Sequence, residues 1–425
     1  LTSEYEVDSN GVFRLRLAYR LTDFSREELE LLPLFCGYLT EFGSGIEDYV
    51  TTLEKRGKIG DFSVSCLVKP DIKDKNREVG FLIINGKGLG RKRNQITEIA
   101  AQLISKVRFD ELNRLADLMK QTRSEFEQSL TARGHQLAMT AASRSFSRKT
   151  ALDEVWEGGS SVSSVKNILL GVDSDHSFKG VFLLFEKIRR KVLNQRPKIM
   201  VMGEANLLNG ASEECESYLP TNHAEPQSLD ISSIQSASPD AWLIDSQVNF
   251  CALAYPTVEE TSSDAPSLFV LGKYLQDGFL HSEIREKGGA YGSGSGYFPD
   301  SGTFKFFSYR DPRLFETVTD FKRSLDWFAE NHCDKRLEES ILGAVRSLDP
   351  SRTPVAEADR AFLNKLFGRD DDLIKSFRAG VLAASCASMS TVCDRYLNSS
   401  GHIGIVSGKN TRDFLKNEGL SFDEI

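Results

Sequence analysis

The first half of the chain alternates between segments with a two-residue hydrophobic period and segments with a helical period. Residues 11–20 alternate apolar and charged side chains, which predicts a half-buried strand. Ser25 and Glu28 then match a capping box, the pattern that opens a helix. Further strands are predicted at 61–68 and 79–84, and further helices at 94–107, 110–148 and 162–193. This order predicts an α+β fold in which helices cover an antiparallel-rich sheet.

The second half repeats this plan, which predicts two similar α/β sandwich domains. Strands are predicted at 198–202, 241–258, 294–298, 302–309 and 403–406, with a long loop at 209–240 and a helix after Asp311 and Pro312. When the halves are aligned, residues 53–57 match residues 284–288 and Glu54 falls opposite Arg285. Matches this short also arise by chance, so a duplicated fold and an accidental similarity are both open.

Length and composition bound the number of domains and the class of partner. A chain of 425 residues is too long for one core and predicts two or three domains. We place a first α/β domain with long helices at 1–195 and a second α/β domain at 196–425. The net charge of −8 argues against a nucleic-acid partner. No apolar run approaches the roughly 20 residues of a membrane span, so no membrane partner is expected.

The cysteines and the first residue bear on the origin of the chain. The seven cysteines include no Cys-x-x-Cys pair, which indicates free thiols in a reducing compartment such as a bacterial cytoplasm or an organelle matrix. No signal peptide opens the chain. It begins at Leu1 rather than at a methionine, as an excised piece of a longer protein would.

A glycine-rich segment at 284–296 places Arg285 and Tyr291 beside a backbone that can turn sharply. Nucleotide binding is not favoured there, because a helix precedes the segment and a strand follows it, the reverse of the dinucleotide fingerprint. A second glycine-rich segment, 86–90, follows a strand but lacks the P-loop spacing. The six histidines match no zinc motif, and no Gly-x-Ser-x-Gly nucleophile is present. We therefore predict no metal site and no complete catalytic apparatus in this chain.

Three segments resemble one peptidase family. They are residues 281–292 (HSEIREKGGAYG), residues 308–312 (SYRDP) and residues 32–36 (LPLFC). In this order and context they closely resemble the presequence-protease branch of the insulinase/pitrilysin zinc peptidases. The resemblance extends over nearly the whole chain and is thin at 150–240.

The resemblance implies that the chain is the C-terminal half of a clamshell zinc metalloendopeptidase that degrades short, unstructured peptides. In that family the N-terminal half binds Zn²⁺ through an inverted His-x-x-Glu-His motif, which is absent here. The expected partners are therefore that N-terminal half, in the same polypeptide or as a matching fragment, and peptide substrates. The chain alone is expected to be inactive. The family's C-terminal half closes the chamber and supplies an arginine and a tyrosine, which match Arg285 and Tyr291.

These residue types suit such a role. A tyrosine hydroxyl can donate to the negative charge that develops on a peptide carbonyl oxygen, and a guanidinium adds permanent charge. Gly288, Gly289 and Gly292 would let an extended substrate approach the backbone. Two alternatives stay open. Arg285 and Tyr291 can be structural residues at a helix end and in a hairpin, or the whole chain can be an inactive superfamily member that serves as a binding or assembly subunit.

Overall fold

The strands of the protein form two mixed sheets, each with helices packed against it. The computed structural model describes residues 2–74, 77–170, 175–219, 228–234 and 238–425. Within these residues the strands are β1 (Thr2–Glu6), β2 (Val12–Arg20), β3 (Asp61–Pro70), β4 (Glu78–Leu89), β5 (Lys198–Gly203), β6 (Ala241–Ile244), β7 (Phe250–Pro256), β8 (Gly292–Phe298), β9 (Thr303–Tyr309), β10 (His402–Gly408) and β11 (Phe422–Glu424). The predicted α+β class is confirmed.

The helices outnumber the strands in the described part of the chain. They are α1 (Arg26–Tyr38), α2 (Tyr49–Ile59), α3 (Arg93–Lys106), α4 (Leu112–Ser143), α5 (Arg148–Glu157), α6 (Gly159–Leu170), α7 (Asp175–Leu193), α8 (Ala205–Leu208), α9 (Ala211–Ser217), α10 (Ala265–Leu275), α11 (Phe315–Glu330), α12 (Asp334–Leu348), α13 (Pro354–Leu366), α14 (Asp371–Leu382), α15 (Cys386–Tyr396) and α16 (Arg412–Asn417). A π-helical segment, Gln276–Lys287, continues α10.

The chain divides into two compact units, each assembled from separated segments. Unit 1 comprises Leu1–Thr122, Asn167–Ser233 and Ser351–Arg369, and unit 2 comprises Arg123–Lys166, Ile234–Pro350 and Asp370–Ile425. This grouping differs from a division at 195, because β5 pairs with β1 and β2 and so completes the sheet of unit 1. Helix α13 also packs on that sheet. Pairing between segments so distant in sequence leaves no local hydrophobic pattern.

The sheet of unit 1 has the strand order β1-β5-β2-β4-β3, with β1 and β5 parallel and the other neighbours antiparallel. Strand β2 shows the predicted alternation, with Phe13, Leu15 and Leu17 buried. Helix α1 begins with the predicted capping box. The backbone N–H of Ser25 donates to the Glu28 carboxylate at 2.7 Å, and the backbone N–H of Glu28 donates to the Ser25 hydroxyl at 3.3 Å.

The sheet of unit 2 repeats the sheet of unit 1 strand for strand. Its order is β11-β6-β10-β7-β9-β8. Apart from the edge strand β11, the strands β6, β10, β7, β9 and β8 occupy the places of β1, β5, β2, β4 and β3 in the same relative directions. The prediction of two similar α/β folds is therefore confirmed.

Unit 2 buries both faces of its sheet. Along β7, Cys251 and Leu253 belong to a core with α10 and α11, whereas Phe250 and Ala252 belong to a second core with α4. The predicted hairpin is formed by β8 and β9. The segment 241–258, predicted as one strand, forms two strands, β6 and β7.

The loop predicted at 209–240 is interrupted by helix α9. Its residues 220–227 and 235–237 lie outside the described part of the chain.

Candidate functional site

The segment that holds Arg285 is helical but wound more widely than an α-helix. It continues α10 with a π-helical stretch over Gln276–Lys287. Phe279, Leu280 and Ile284 are buried and anchor the stretch against unit 2, whereas Arg285 is exposed. π-Helical backbone is rare and is frequent at functional sites.

The helix ends in a glycine turn, residues 288–291, which leads into β8. Gly289 has a φ of +81°, the left-handed conformation that commonly ends a helix and favours glycine. Its N–H donates to the carbonyl of Arg285 at 3.2 Å, and the N–H of Ala290 donates to the carbonyl of Ile284 at 3.1 Å. Ala290 itself is buried. These bonds fix the backbone between Arg285 and Tyr291.

Gly288 is required by a neighbouring side chain. A Cβ at Gly288 would lie 2.1 Å from Nη2 of Arg313 and 2.6 Å from the carbonyl oxygen of Ile284. Gly292, by contrast, has space, since a Cβ there would meet only the Cβ of Tyr309, at 3.9 Å. Two of the three predicted substrate-binding glycines, Gly288 and Gly289, therefore have a structural reason to be glycine.

Arg313 is itself held by two carboxylates. Its Nη1 donates to Asp320 at 3.0 Å. Its backbone N–H donates to the buried carboxylate of Asp311 at 2.9 Å, which also accepts from the hydroxyl of Thr317 at 2.8 Å. Burial raises the pKa of Asp311 although these hydrogen bonds oppose the shift. The sequence analysis expected Asp311 at the start of a helix, and it lies four residues before α11, braced against it, but it missed Arg313.

Tyr291 rests against a second tyrosine and keeps its hydroxyl in solvent. Its side chain is 69% exposed, and its backbone N–H donates to the carbonyl of Arg310 at 3.3 Å. The ring lies edge-on to Tyr309, with 5.8 Å between centroids. The Tyr309 ring in turn contacts His135, at 5.0 Å, and Phe250, at 5.6 Å. The ring of Tyr291 is thus supported from below.

Arg285 has no carboxylate partner within salt-bridge distance among the described residues. Its one polar contact is with the imidazole of His281, at 3.4 Å. The two glutamates nearby are engaged elsewhere: Glu283 pairs with Lys287, and Glu286 lies 3.5 Å from His281. The guanidinium of Arg285 is therefore available to a ligand.

The counterpart of Arg285 in unit 1 differs in this respect. Glu54 lies on α2 and forms an i,i+4 ion pair with Lys58 at 2.6 Å. The hydrogen bond from Lys58 lowers the pKa of Glu54. The first copy thus has an ordinary surface ion pair at the place where the second copy has an unpaired arginine.

The described residues do not fit a metal ion. No group of three or more His, Cys, Asp or Glu side chains in the described ranges could hold one. His135 packs against Phe307 and Tyr309, while His332 and His402 contact serine hydroxyls. The histidines at 176 and 223 fall outside the described side chains. None of the helices in the described part of the chain is long and apolar enough to cross a membrane.

Two family models match the chain, one on each side of its middle. The model of the associated domain of the M16 peptidases, subfamily C, matches residues 2–168. The model "PreP C-terminal domain" matches residues 239–407.

A curated relative of similar sequence is the mitochondrial presequence protease of Danio rerio, 27% identical over 421 residues. The match covers 92% of this chain and 40% of the relative. The mitochondrial presequence protease of Drosophila melanogaster is also 27% identical, with 94% of this chain and 39% of the relative covered. The chain thus spans about 40% of the length of these relatives.

Among solved structures, a conserved protein from Enterococcus faecalis V583 is similar with a TM-score of 0.70 and 13% identity, over 96% of each chain. A peptidase M16 inactive domain from Pseudomonas fluorescens is similar with a TM-score of 0.62 and 17% identity, over 96% of this chain and 94% of that one. These likenesses show the fold.

Proposed function

Because this chain belongs to the presequence-protease branch of the M16 peptidases, we propose that it is the C-terminal, non-zinc half of a zinc metalloendopeptidase for short, unstructured peptides. In this proposal it closes the reaction chamber together with an N-terminal half and is inactive alone. The zinc ion belongs to that other half, since the described residues of this chain do not fit it. The share of about 40% that the chain spans of its relatives supports this division.

The observation on which the proposal rests is the pair of unpaired side chains at the glycine turn. Arg285 and Tyr291 flank a backbone fixed by hydrogen bonds, and neither has a charged partner among the described residues. Donors fixed in advance stabilise a developing oxyanion far better than donors that must reorganise. Tyr291 donates its hydroxyl proton in a hydrogen bond to the carbonyl oxygen as negative charge develops there. Arg285 binds the peptide backbone and adds positive charge.

Gly292 is the glycine whose role in substrate binding this geometry best supports. It lies in β8, opposite Tyr309, with room at its Cα. A peptide running along β8 would approach this bare backbone more closely than it could approach a side chain.

The second candidate function is an inactive binding or assembly subunit. A binding subunit has no chemical need for an arginine and a tyrosine that stay unpaired at a fixed turn. The two functions therefore differ in what a substitution at these positions would do to peptide cleavage.

The test is reconstitution with the matching N-terminal half and a fluorogenic peptide. We expect no turnover by this chain alone and chelator-sensitive turnover by the mixture, slowed by Tyr291→Phe at unchanged complex formation. Turnover by the pure chain, or an N-terminal half whose activity ignores this chain, would contradict the proposal.

A further inference from the structure

Unit 1 contains a polar cavity that the glycine turn does not involve. It measures about 230 Å³ and lies on the sheet, between β2, β3 and β4 on one side and α13 on the other. Arg14 and Arg16 of β2, Asn85 and Lys87 of β4, and Asp359 of α13 contribute its charged and polar walls.

The cavity exists because unit 1 covers this face of its sheet only in part. Ala358, Phe362 and Leu366 of α13 pack on Ala18 and Met200. Beyond that apolar contact, the outward positions of the strands are polar. The equivalent face of unit 2 is instead buried under α4.

The charges around the cavity do not cancel. Lys87 pairs with Asp61 at 2.9 Å, and Arg16 pairs with Asp359 at 3.0 Å. Burial raises the pKa of Asp359, and the charges of Arg16 and Arg14 oppose that shift. Arg14 has no hydrogen-bond or ion-pair partner among the described residues, so one positive charge is left over in the cavity.

Two buried polar atoms at the cavity also lack partners within the described ranges. They are Nε of Arg14, a donor, and Oδ1 of Asn85, an acceptor. The other end of the Asn85 amide donates to the Ser63 hydroxyl at 3.2 Å, which leaves Oδ1 facing away from that bond. A buried polar group without a partner costs free energy, and such groups are rare in folded proteins. A ligand that supplies both an anion and an N–H would satisfy both atoms.

We propose that this cavity binds a carboxylate group of a peptide, with the Arg14 guanidinium pairing with the carboxylate and Asn85 Oδ1 accepting a hydrogen bond from a neighbouring peptide N–H. A planar guanidinium is well suited to a carboxylate. The carboxylate comes from the C-terminus of the peptide or from an Asp or Glu side chain. The site is an anchor for substrate away from the glycine turn, and in that sense it rests on the proposed function.

The test uses isothermal titration of the 425-residue chain with three acetylated, unstructured ten-residue peptides. The first has a free C-terminus and no acidic side chain, the second is its C-terminal amide, and the third is that amide with one Glu. We expect the first to bind about tenfold more tightly than the second, because hydrogen bonds to charged groups are strong. Tight binding of the third as well would assign the site to carboxylates in general, and weak binding would assign it to C-termini.

Arg14→Gln should remove the preference for the acid over the amide, and Asn85→Ala should weaken both peptides. Arg91→Gln is the matched control, because Arg91 is exposed in unit 1 and outside the cavity. Equal binding of acid and amide by the unmodified chain would overturn the proposal whether or not the variants fold. So would an Arg14→Gln chain that binds like Arg91→Gln.

The reconstituted enzyme separates failure of this site from failure of the proposed function. Selective binding of the acid by a chain that never activates its N-terminal half would keep the site and reject the function. Full activity together with equal binding of acid and amide would reject the site alone.

Discussion

The guanidinium of Arg313 lies against Gly288, so that a Cβ there would come within 2.1 Å of Nη2. This contact links the start of α11 to the glycine turn, because Arg313 is also bound to Asp320 on that helix. The turn that positions Arg285 and Tyr291 is therefore built on a side chain more than twenty residues further along the chain.

Gly288→Ala should destabilise unit 2, whereas Gly292→Ala should not. The first substitution forces a Cβ against Arg313 and against the Ile284 carbonyl, at an expected cost of about 1–3 kcal/mol. The second has room at its Cα. Urea unfolding of both variants is the measurement. Equal midpoints for the two variants would show that the Arg313 contact is not what requires a glycine.

Gly292→Ala tests the substrate role of the glycine turn at a position where the fold is spared. If a peptide approaches the backbone of β8, the added methyl group should raise KM in the reconstituted enzyme while the stability of the chain stays within about 0.5 kcal/mol of wild type. An unchanged KM would leave Gly292 without a substrate role.

Tyr291→Phe should lower kcat with little change in KM, because a hydrogen bond made mainly in the transition state is lost while the ring packing on Tyr309 is kept. The loss of one oxyanion donor costs about 10²–10³ in rate where it has been measured. Steady-state kinetics on one peptide, with melting curves as a folding check, decides the matter. A near-wild-type kcat would return Tyr291 to a packing role.

Arg285→Ala should affect both kcat and KM, since the guanidinium is proposed to bind the ground-state backbone as well. Arg285→Lys should recover only part of the activity, because the planar fork of donors is lost. Glu54→Ala is the control from the duplicated position, and it should leave the kinetics near wild type. Equal effects of Arg285→Ala and Glu54→Ala would contradict a specific role for Arg285.

The purified chain should bind no zinc stoichiometrically. In the described ranges no cluster of His, Cys, Asp and Glu side chains is suited to a metal ion, and a structural zinc site needs four ligands in tetrahedral geometry. Elemental analysis after dialysis gives the answer. One zinc per chain would reveal a site that neither the sequence nor the described structure contains.

Lys305 should make the stability of unit 2 depend on pH in the alkaline range. It is 8% exposed, and burial lowers its pKa to about 8. Between about pH 8 and the unfolded-state pKa of about 10.4, the folded chain binds fewer protons at this position than the unfolded chain. The stability contributed by this lysine therefore rises with pH across that window, and the full cost of its charge is felt below pH 8.

Lys305→Met should accordingly be more stable than wild type at pH 7, on the order of 1–3 kcal/mol. The difference should shrink as the pH rises from 8 to 10. Lys322→Met, at an exposed lysine on α11, is the control and should show no such trend. Urea midpoints measured across this pH range would decide, and a constant difference for Lys305→Met would contradict the assignment.

The sequence by itself determined the local elements and the identity of the family. The alternation along β2, the capping box at Ser25 and the β8–β9 hairpin follow from residues close together in the chain, and all are present in the structure. The motif around Arg285 and Tyr291 is likewise local, so the resemblance could be read from it.

Only the tertiary structure decided how distant segments combine. The pairing of β5 with β1 and β2, the packing of α13 on the sheet of unit 1 and the contact of Arg313 with Gly288 join residues far apart in sequence. Periodicity reports which face of an element is buried and not which partner buries it, because many apolar surfaces can serve equally well. For the same reason the unpaired charge of Arg14 could not be seen in the sequence, where it is one of many arginines on an alternating strand.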